Sequence, residues 1–211
     1  MGFTTISYYI GGELNPNILK GGKVIIFTPQ VYSSTLQELT KGHPDMVIVN
    51  YNIEFTFTKL IEEYEKISVD YHSAIETIER ILYPHYVSVA TNSTDSMTPD
   101  DIIVFLENTT SNIDISEKIS MDLIGDTKIY INNLKEYDDT FMDTIIRDKK
   151  GKDYIDGSII IAHRDLWDVL MGNLSILEHR VRVLGLHPTL EDLLLIFREN
   201  NKNMFESIPW K

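Results

Sequence analysis

The chain has 211 residues, 43 % of them apolar and 24 % charged, with a net charge of −13 and no cysteine. This length holds one large domain or two small ones, and the composition builds a packed core rather than a disordered chain. The absent cysteines exclude disulfides, thiolate metal sites and thiol nucleophiles. The acidity disfavours sequence-independent nucleic-acid binding.

No apolar run approaches the roughly 20 residues that span a bilayer. The N-terminus MGFTTISYYIGGEL has neither a basic start nor a small-residue cleavage site, so a secretory signal is not expected. These features place the protein in the cytoplasm or in a virion, away from membranes. Residues 95–156 carry 15 acids against 7 bases, which makes the middle of the chain its acidic region. Ile occurs 29 times and Ala only 3 times. Helix propensity would favour the opposite bias, and the pattern associates with AT-rich genomes such as those of bacteriophages and large DNA viruses.

Taken in chain order, FTTISYYI and KVIIFTP are β-branched and aromatic, and Gly11-Gly12 and Gly21-Gly22 punctuate them as turns. A short helix is expected within Val31–Lys41, with Leu36 and Leu39 on one side. From Val47 to Thr58 the chain alternates: Val47, Val49, Tyr51, Ile53, Phe55 and Phe57 make one face, and Asn50, Asn52 and Thr56 mark the other. That is a long strand with a greasy and a mainly polar side, suited to a sheet edge. Near Thr58 the period changes. Leu60, Tyr64, Ile67, Tyr71, Ala74, Ile78 and Ile81 recur at steps of four and three, which predicts a helix over 58–83, about 37 Å long at roughly 1.5 Å per residue.

Pro84 ends that helix. YVSVAT (86–91) suits a strand, and 92–97 is a polar linker. Thr98-Pro99-Asp100-Asp101 is a helix start, making DIIVFLEN a short helix, although the same residues suit a buried strand. Residues 113–124 look helical, TKIYIN (127–132) strand-like and 133–148 helical. Asp156-Gly157 signals a hairpin turn. The last fifty residues read as two or three helices, broken at Gly172 and Gly185, with Thr189 and Asp192 resembling a capping box.

The chemical motifs are weak. His163-Arg164-Asp165-Leu166 looks like the catalytic loop of a protein kinase, but Leu170 stands where that family needs a metal-binding Asn. No Asp-Phe-Gly follows it, and no Gly-rich phosphate loop precedes it. The structural reading is that Asp165 starts a helix whose Leu166, Val169 and Leu170 pack inward. Lys149-Lys150-Gly151-Lys152 reads as a solvated loop. Asp138, Asp139 and Asp143 cluster with Glu136, and Asp139 and Asp143 share a helix face, a spacing that can hold Mg²⁺. No further acidic motif completes such a site. The six histidines form no metal-binding spacing. The three sequons, at Asn92, Asn108 and Asn173, carry little without a secretory route. No cofactor is expected.

These observations predict an α+β fold: a small antiparallel or mixed sheet packed on a long helix, followed by a mainly helical C-terminal part. The division expected is 1–91, β-rich and including helix 58–83, and 98–211, mainly helical; a single compact domain also fits. The expected function is non-enzymatic. The chain reads as a homo-oligomeric structural or assembly subunit, such as a phage neck, tail or connector component, whose partners are copies of itself and other particle proteins. Its interaction face would combine Tyr64, Ile67, Tyr71 and Ile78 on the helix with Asn50, Asn52 and Thr56 on the strand. Two alternatives are an acidic metal-dependent hydrolase using Asp138, Asp139 and Asp143, and a regulator that mimics nucleic acid through its acidic stretch.

Overall fold

The computed structural model describes residues 3–9, 11–51, 102–108, 115–120, 124–135, 154–184 and 190–208. Within them, strand β1 (Phe3–Tyr8) leads through a 3₁₀ turn (Pro16–Lys20) to β2 (Lys23–Pro29). Helix α1 (Ser33–Leu39) then leads to β3 (Met46–Tyr51). Strand β4 (Ile102–Leu106), helix α2 (Ile115–Ser120), strand β5 (Ile129–Lys135) and strand β6 (Tyr154–His163) follow. The chain continues through helices α3 (Arg164–Val183) and α4 (Leu190–Asn200) and returns to the sheet as β7 (Phe205–Ser207).

The strands make one seven-stranded sheet in the order β3-β2-β1-β4-β6-β5-β7. Strands β3, β2, β1 and β4 run parallel; β6 is antiparallel to both β4 and β5, and β7 is parallel to β5. Because β1 pairs with β2 on one side and β4 on the other, strands from both halves of the sequence share this sheet.

Both faces are covered, so β4 is apolar throughout and β1 buries Thr4, Thr5 and Ser7 beside its apolar residues. Ile6, Ile25, Phe27, Ile103, Phe105, Ile160 and Ala162 face one core, closed by Trp167, Leu170, Met171 and Leu174 of α3 and by Leu190, Leu193, Leu194 and Phe197 of α4. Val24, Ile26, Val104, Leu106, Ile159 and Ile161 face the other, closed by Ile18, by Leu36 of α1 and by Ile115 and Ile119 of α2. Leu36 is buried, but Leu39 is half exposed, so the two do not share an inward side.

The expected fold class is thereby corrected. A large, mostly parallel sheet replaces the small sheet on a long helix, and the C-terminal half supplies four of its seven strands. IIVFL, read first as a short helix with a buried strand as the alternative, is β4; five apolar residues buried on both faces carry no period that separates helix from strand. Asp156-Gly157 lies inside the ten-residue strand β6 rather than at a hairpin turn. Its glycine serves packing: a Cβ there would lie 3.3 Å from Leu194 Cδ1 and 3.4 Å from Glu191 Oε1 of α4. Helix α3 runs through Gly172 without a break. Of the residues read as helical over 133–148, 133–135 belong to β5. The long helix 58–83, the strand at 86–91, the helix start at Thr98 and Thr189 lie outside the described residues.

Gly21 is fixed by close approach. A Cβ there would sit 2.5 Å from Thr5 Oγ1, 2.8 Å from the Lys23 carbonyl oxygen and 3.0 Å from the Thr5 amide. Two of those atoms are backbone of the sheet and cannot yield. Gly21→Ala is expected to cost about 3 kcal/mol, read as a lowered urea midpoint at unchanged slope.

Candidate active site

In an open sheet of parallel strands, the chain makes a crevice where neighbouring connections leave in opposite directions, at the carboxyl ends of the strands. Here that point lies between β1 and β4, since β2 and β3 continue to one side of β1 and β4 lies on the other. The residues just past β1 are Tyr9, Gly11 and Gly12, and those just past β4 are Glu107 and Asn108.

Several hydrogen bonds join the two strand ends. Ser7 Oγ donates to the Leu106 carbonyl at 2.6 Å. The Tyr8 hydroxyl donates to Glu107 Oε1 at 2.7 Å, with both residues buried. The Glu107 amide donates to the Ser158 carbonyl at 2.8 Å, which anchors it to β6 as well. Asn108 then ties the loop after β1 in place: its Oδ1 accepts from the Asn15 amide at 2.9 Å, and its Nδ2 donates to the Glu13 carbonyl at 3.1 Å. A buried carboxylate is costly without partners. The Tyr8 hydroxyl offsets part of that cost and fixes the direction of the carboxyl group.

The opposite wall is the glycine turn. Gly11 and Gly12 have φ of +105° and +80°, values that favour glycine. Gly11 lies against Tyr32, whose ring a Cβ would meet at 3.1 Å, whereas a Cβ on Gly12 would meet nothing within 4 Å. Among the described residues, the backbone at Gly12 therefore borders open space. The Tyr9 hydroxyl donates to the Gly12 carbonyl at 2.8 Å, and its ring meets Tyr32 edge-on with centroids 6.2 Å apart. Burial, and then the neighbouring Tyr32, push the Tyr9 phenol above the usual tyrosine range, so it keeps the proton it donates. The Thr28 hydroxyl donates to the Tyr9 carbonyl at 2.8 Å and fixes the start of this turn on β2.

The arrangement places a carboxylate and an amide just past β4 and a glycine turn just past β1, with Asn108 tied to the loop that follows the turn. Among the described residues no group of three His, Asp or Glu is placed to hold a metal ion. Glu107 alone fits a cation that arrives with a ligand's phosphates, since Mg²⁺ commonly takes one or two carboxylates plus substrate oxygens.

The sequence-based site residues fall elsewhere. His163, Arg164 and Asp165 lie at the opposite end of the sheet, where His163 pairs with Ile102 at the start of β4. Asn50 is exposed on β3, which stands at one end of the strand order, opposite Thr28. Asp138, Asp139 and Asp143, and Tyr64, Ile67, Tyr71, Ile78, Asn52 and Thr56, lie outside the described residues. Sequence reasoning missed Tyr8, Glu107 and the bridging role of Asn108. The available signal was an apolar run, IIVFL, stopped by a carboxylate.

No protein-family model and no curated protein sequence matches the chain. Solved structures do. A galactosyltransferase, LgtC, solved with donor and acceptor sugar analogues, is 8 % identical over 97 % of this chain and 73 % of its own, with a TM-score of 0.55. The likeness is one of fold. Mouse xyloside xylosyltransferase 1 aligns at 9 % identity over 97 % of this chain and 84 % of its own, with a TM-score of 0.48. A 4-diphosphocytidyl-2C-methyl-D-erythritol synthase from Anaerococcus prevotii aligns at 10 % over 98 % and 86 %, with a TM-score of 0.47.

The likeness of fold to the galactosyltransferase overturns the expectation of a non-enzymatic virion subunit. A galactosyltransferase has this fold. The structural cause of the error is the sheet, which the sequence pattern hid. No helix among the described residues is long and apolar enough to cross a membrane. Nothing supports placement in a virion.

Proposed function

We propose that the chain is a glycosyltransferase that takes its sugar from a phosphate-activated donor such as a nucleoside diphosphate sugar. The observation that carries this reading is the buried Glu107 carboxylate, aimed by Tyr8, at the crevice between β1 and β4. It is supported by a sheet that follows a galactosyltransferase over nearly the whole chain.

In such a transfer an acceptor hydroxyl forms a bond to the anomeric carbon of the donor sugar. The bond from that carbon to the phosphate oxygen breaks, the diphosphate leaves with the electron pair, and the acceptor's hydroxyl proton passes to the leaving diphosphate or to water. The open backbone at Gly12 lets phosphate oxygens approach the main chain. Glu107 is placed to accept hydrogen bonds from the donor sugar or to meet a cation carried by the diphosphate. Asn108 acts by holding the loop after β1, through Asn15 and Glu13, at the right height above the strand end.

The test is a titration with nucleoside diphosphates and their sugars, with and without Mg²⁺ or Mn²⁺. At least one is expected to raise the melting temperature saturably, because a ligand that binds only the folded state stabilises it by about 2.7 kcal/mol at a hundredfold excess over Kd. The matching sugar nucleotide should be slowly cleaved when no acceptor is present. A protein whose melting temperature ignores every one of these compounds at millimolar concentration would refute the proposal.

A further inference from the structure

Helix α3 has two apolar faces, and the core uses only one. Trp167, Leu170, Met171 and Leu174 point into the sheet. Val169, expected from its sequence setting to pack inward with them, is 48 % exposed, and Ile176 and Val183 are 53 % and 73 % exposed. These three recur at intervals of seven, the spacing that keeps side chains on one side of a helix. The stripe runs opposite the core face. Asp165, Gly172, Asn173 and Arg180 lie along the same exposed strip.

The strip is self-complementary. Turning a second copy end for end about a point between Gly172 and Asn173 sets residues whose numbers sum to the same value at the same height. Val169 then meets Ile176 of the other copy, and Ile176 meets its Val169. Asp165 faces Arg180 at one end and Arg180 faces Asp165 at the other. Gly172 sits at the centre, where a Cβ would meet nothing within 4 Å, so the two backbones can come close. The neighbouring acid, Asp168, is engaged by Arg164 on its own helix at 3.6 Å, which leaves Asp165 as the outward acid of that end.

We propose that this chain forms a two-fold dimer through antiparallel packing of α3 on α3. The same patch on both copies closes the assembly at two, as an isologous interface must. A single helix pair is smaller than the roughly 800 Å² per partner of a standard stable interface, so the dimer is reversible and depends on concentration. The interface uses the side of α3 opposite the core face on which Tyr8 packs, and it does not depend on the proposed activity.

Sedimentation equilibrium of the full chain, from about 1 to 300 µM, is the primary measurement, and a monomer–dimer equilibrium within this range is expected. Ile176→Glu should return the protein to monomer and leave the melting temperature measured at dilute, monomeric concentration unchanged. Asp165→Arg should weaken the dimer about tenfold by opposing like charges, and adding Arg180→Asp should restore it. Because the chain has no cysteine, single introduced cysteines report the register directly. Asn173→Cys lies about 1.5 Å in axial height from its symmetry mate and should cross-link on mild oxidation. Val183→Cys lies about 30 Å from its mate and should not. A monomer throughout the concentration range, a double charge swap no better than the single one, or cross-linking at 183 in place of 173 would each overturn the proposal.

Discussion

Trp167→Ala is expected to destabilise the protein by about 3–5 kcal/mol, a large part of a typical domain's stability. Trp167 is the largest fully buried side chain among the described residues. It stands in the first turn of α3, directly after β6, and packs in the core formed with Ile160, Ala162, Leu170 and Leu174. Truncation removes the indole's buried area and leaves a cavity between sheet and helix that rigid neighbours fill only in part. Its indole N–H has no hydrogen-bond partner, which is itself unfavourable. Trp167→Phe removes that orphan donor together with part of the ring, so it should cost much less than alanine, about 1.5 kcal/mol. Equilibrium unfolding in urea checks both. A loss below about 2 kcal/mol for alanine would mean that α3 does not close this core as described.

The same helix shows what the sequence could and could not disclose. Its start at Arg164-Asp165 was legible, because a carboxylate in the first turn opposes the helix dipole. Its inward face was not, since two apolar stripes on one helix leave the period ambiguous, and Val169 was assigned to the wrong one. Strands β1 and β2 were legible from β-branched residues and glycine punctuation, and helix α1 was placed correctly although Leu39 does not share the buried side of Leu36. Strand β4 was not, because a central parallel strand is apolar on both sides and shows no alternation. Gly157 misled for a different reason. Glycine beside aspartate signals a turn when only neighbours in sequence are weighed, but here it makes room for Leu194 of α4, thirty-seven positions away. The crevice was the least legible part. Tyr8 and Glu107 are 99 positions apart and meet only because β1 and β4 pair in register. No motif of fixed spacing could contain them.

That pairing also makes the charge on Glu107 separable from its place in the fold. Glu107→Gln keeps the size and shape of the side chain, and its carbonyl oxygen can still accept from the Tyr8 hydroxyl. Stability should change little, while release of nucleoside diphosphate from the donor should fall about 100-fold or more, the scale seen when one preorganised electrostatic contact is removed. Tyr8→Phe removes only the group that aims the carboxylate. It should cost about tenfold in turnover, in line with one hydrogen bond to a charged acceptor. If Tyr8 acts through Glu107, the two losses do not add: in the Glu107→Gln background the second substitution should change turnover very little. Full turnover in Glu107→Gln would remove the carboxylate from the reaction. Additive losses would instead give Tyr8 its own contact with the substrate, and the crevice would then have to be read from β1 rather than from β4.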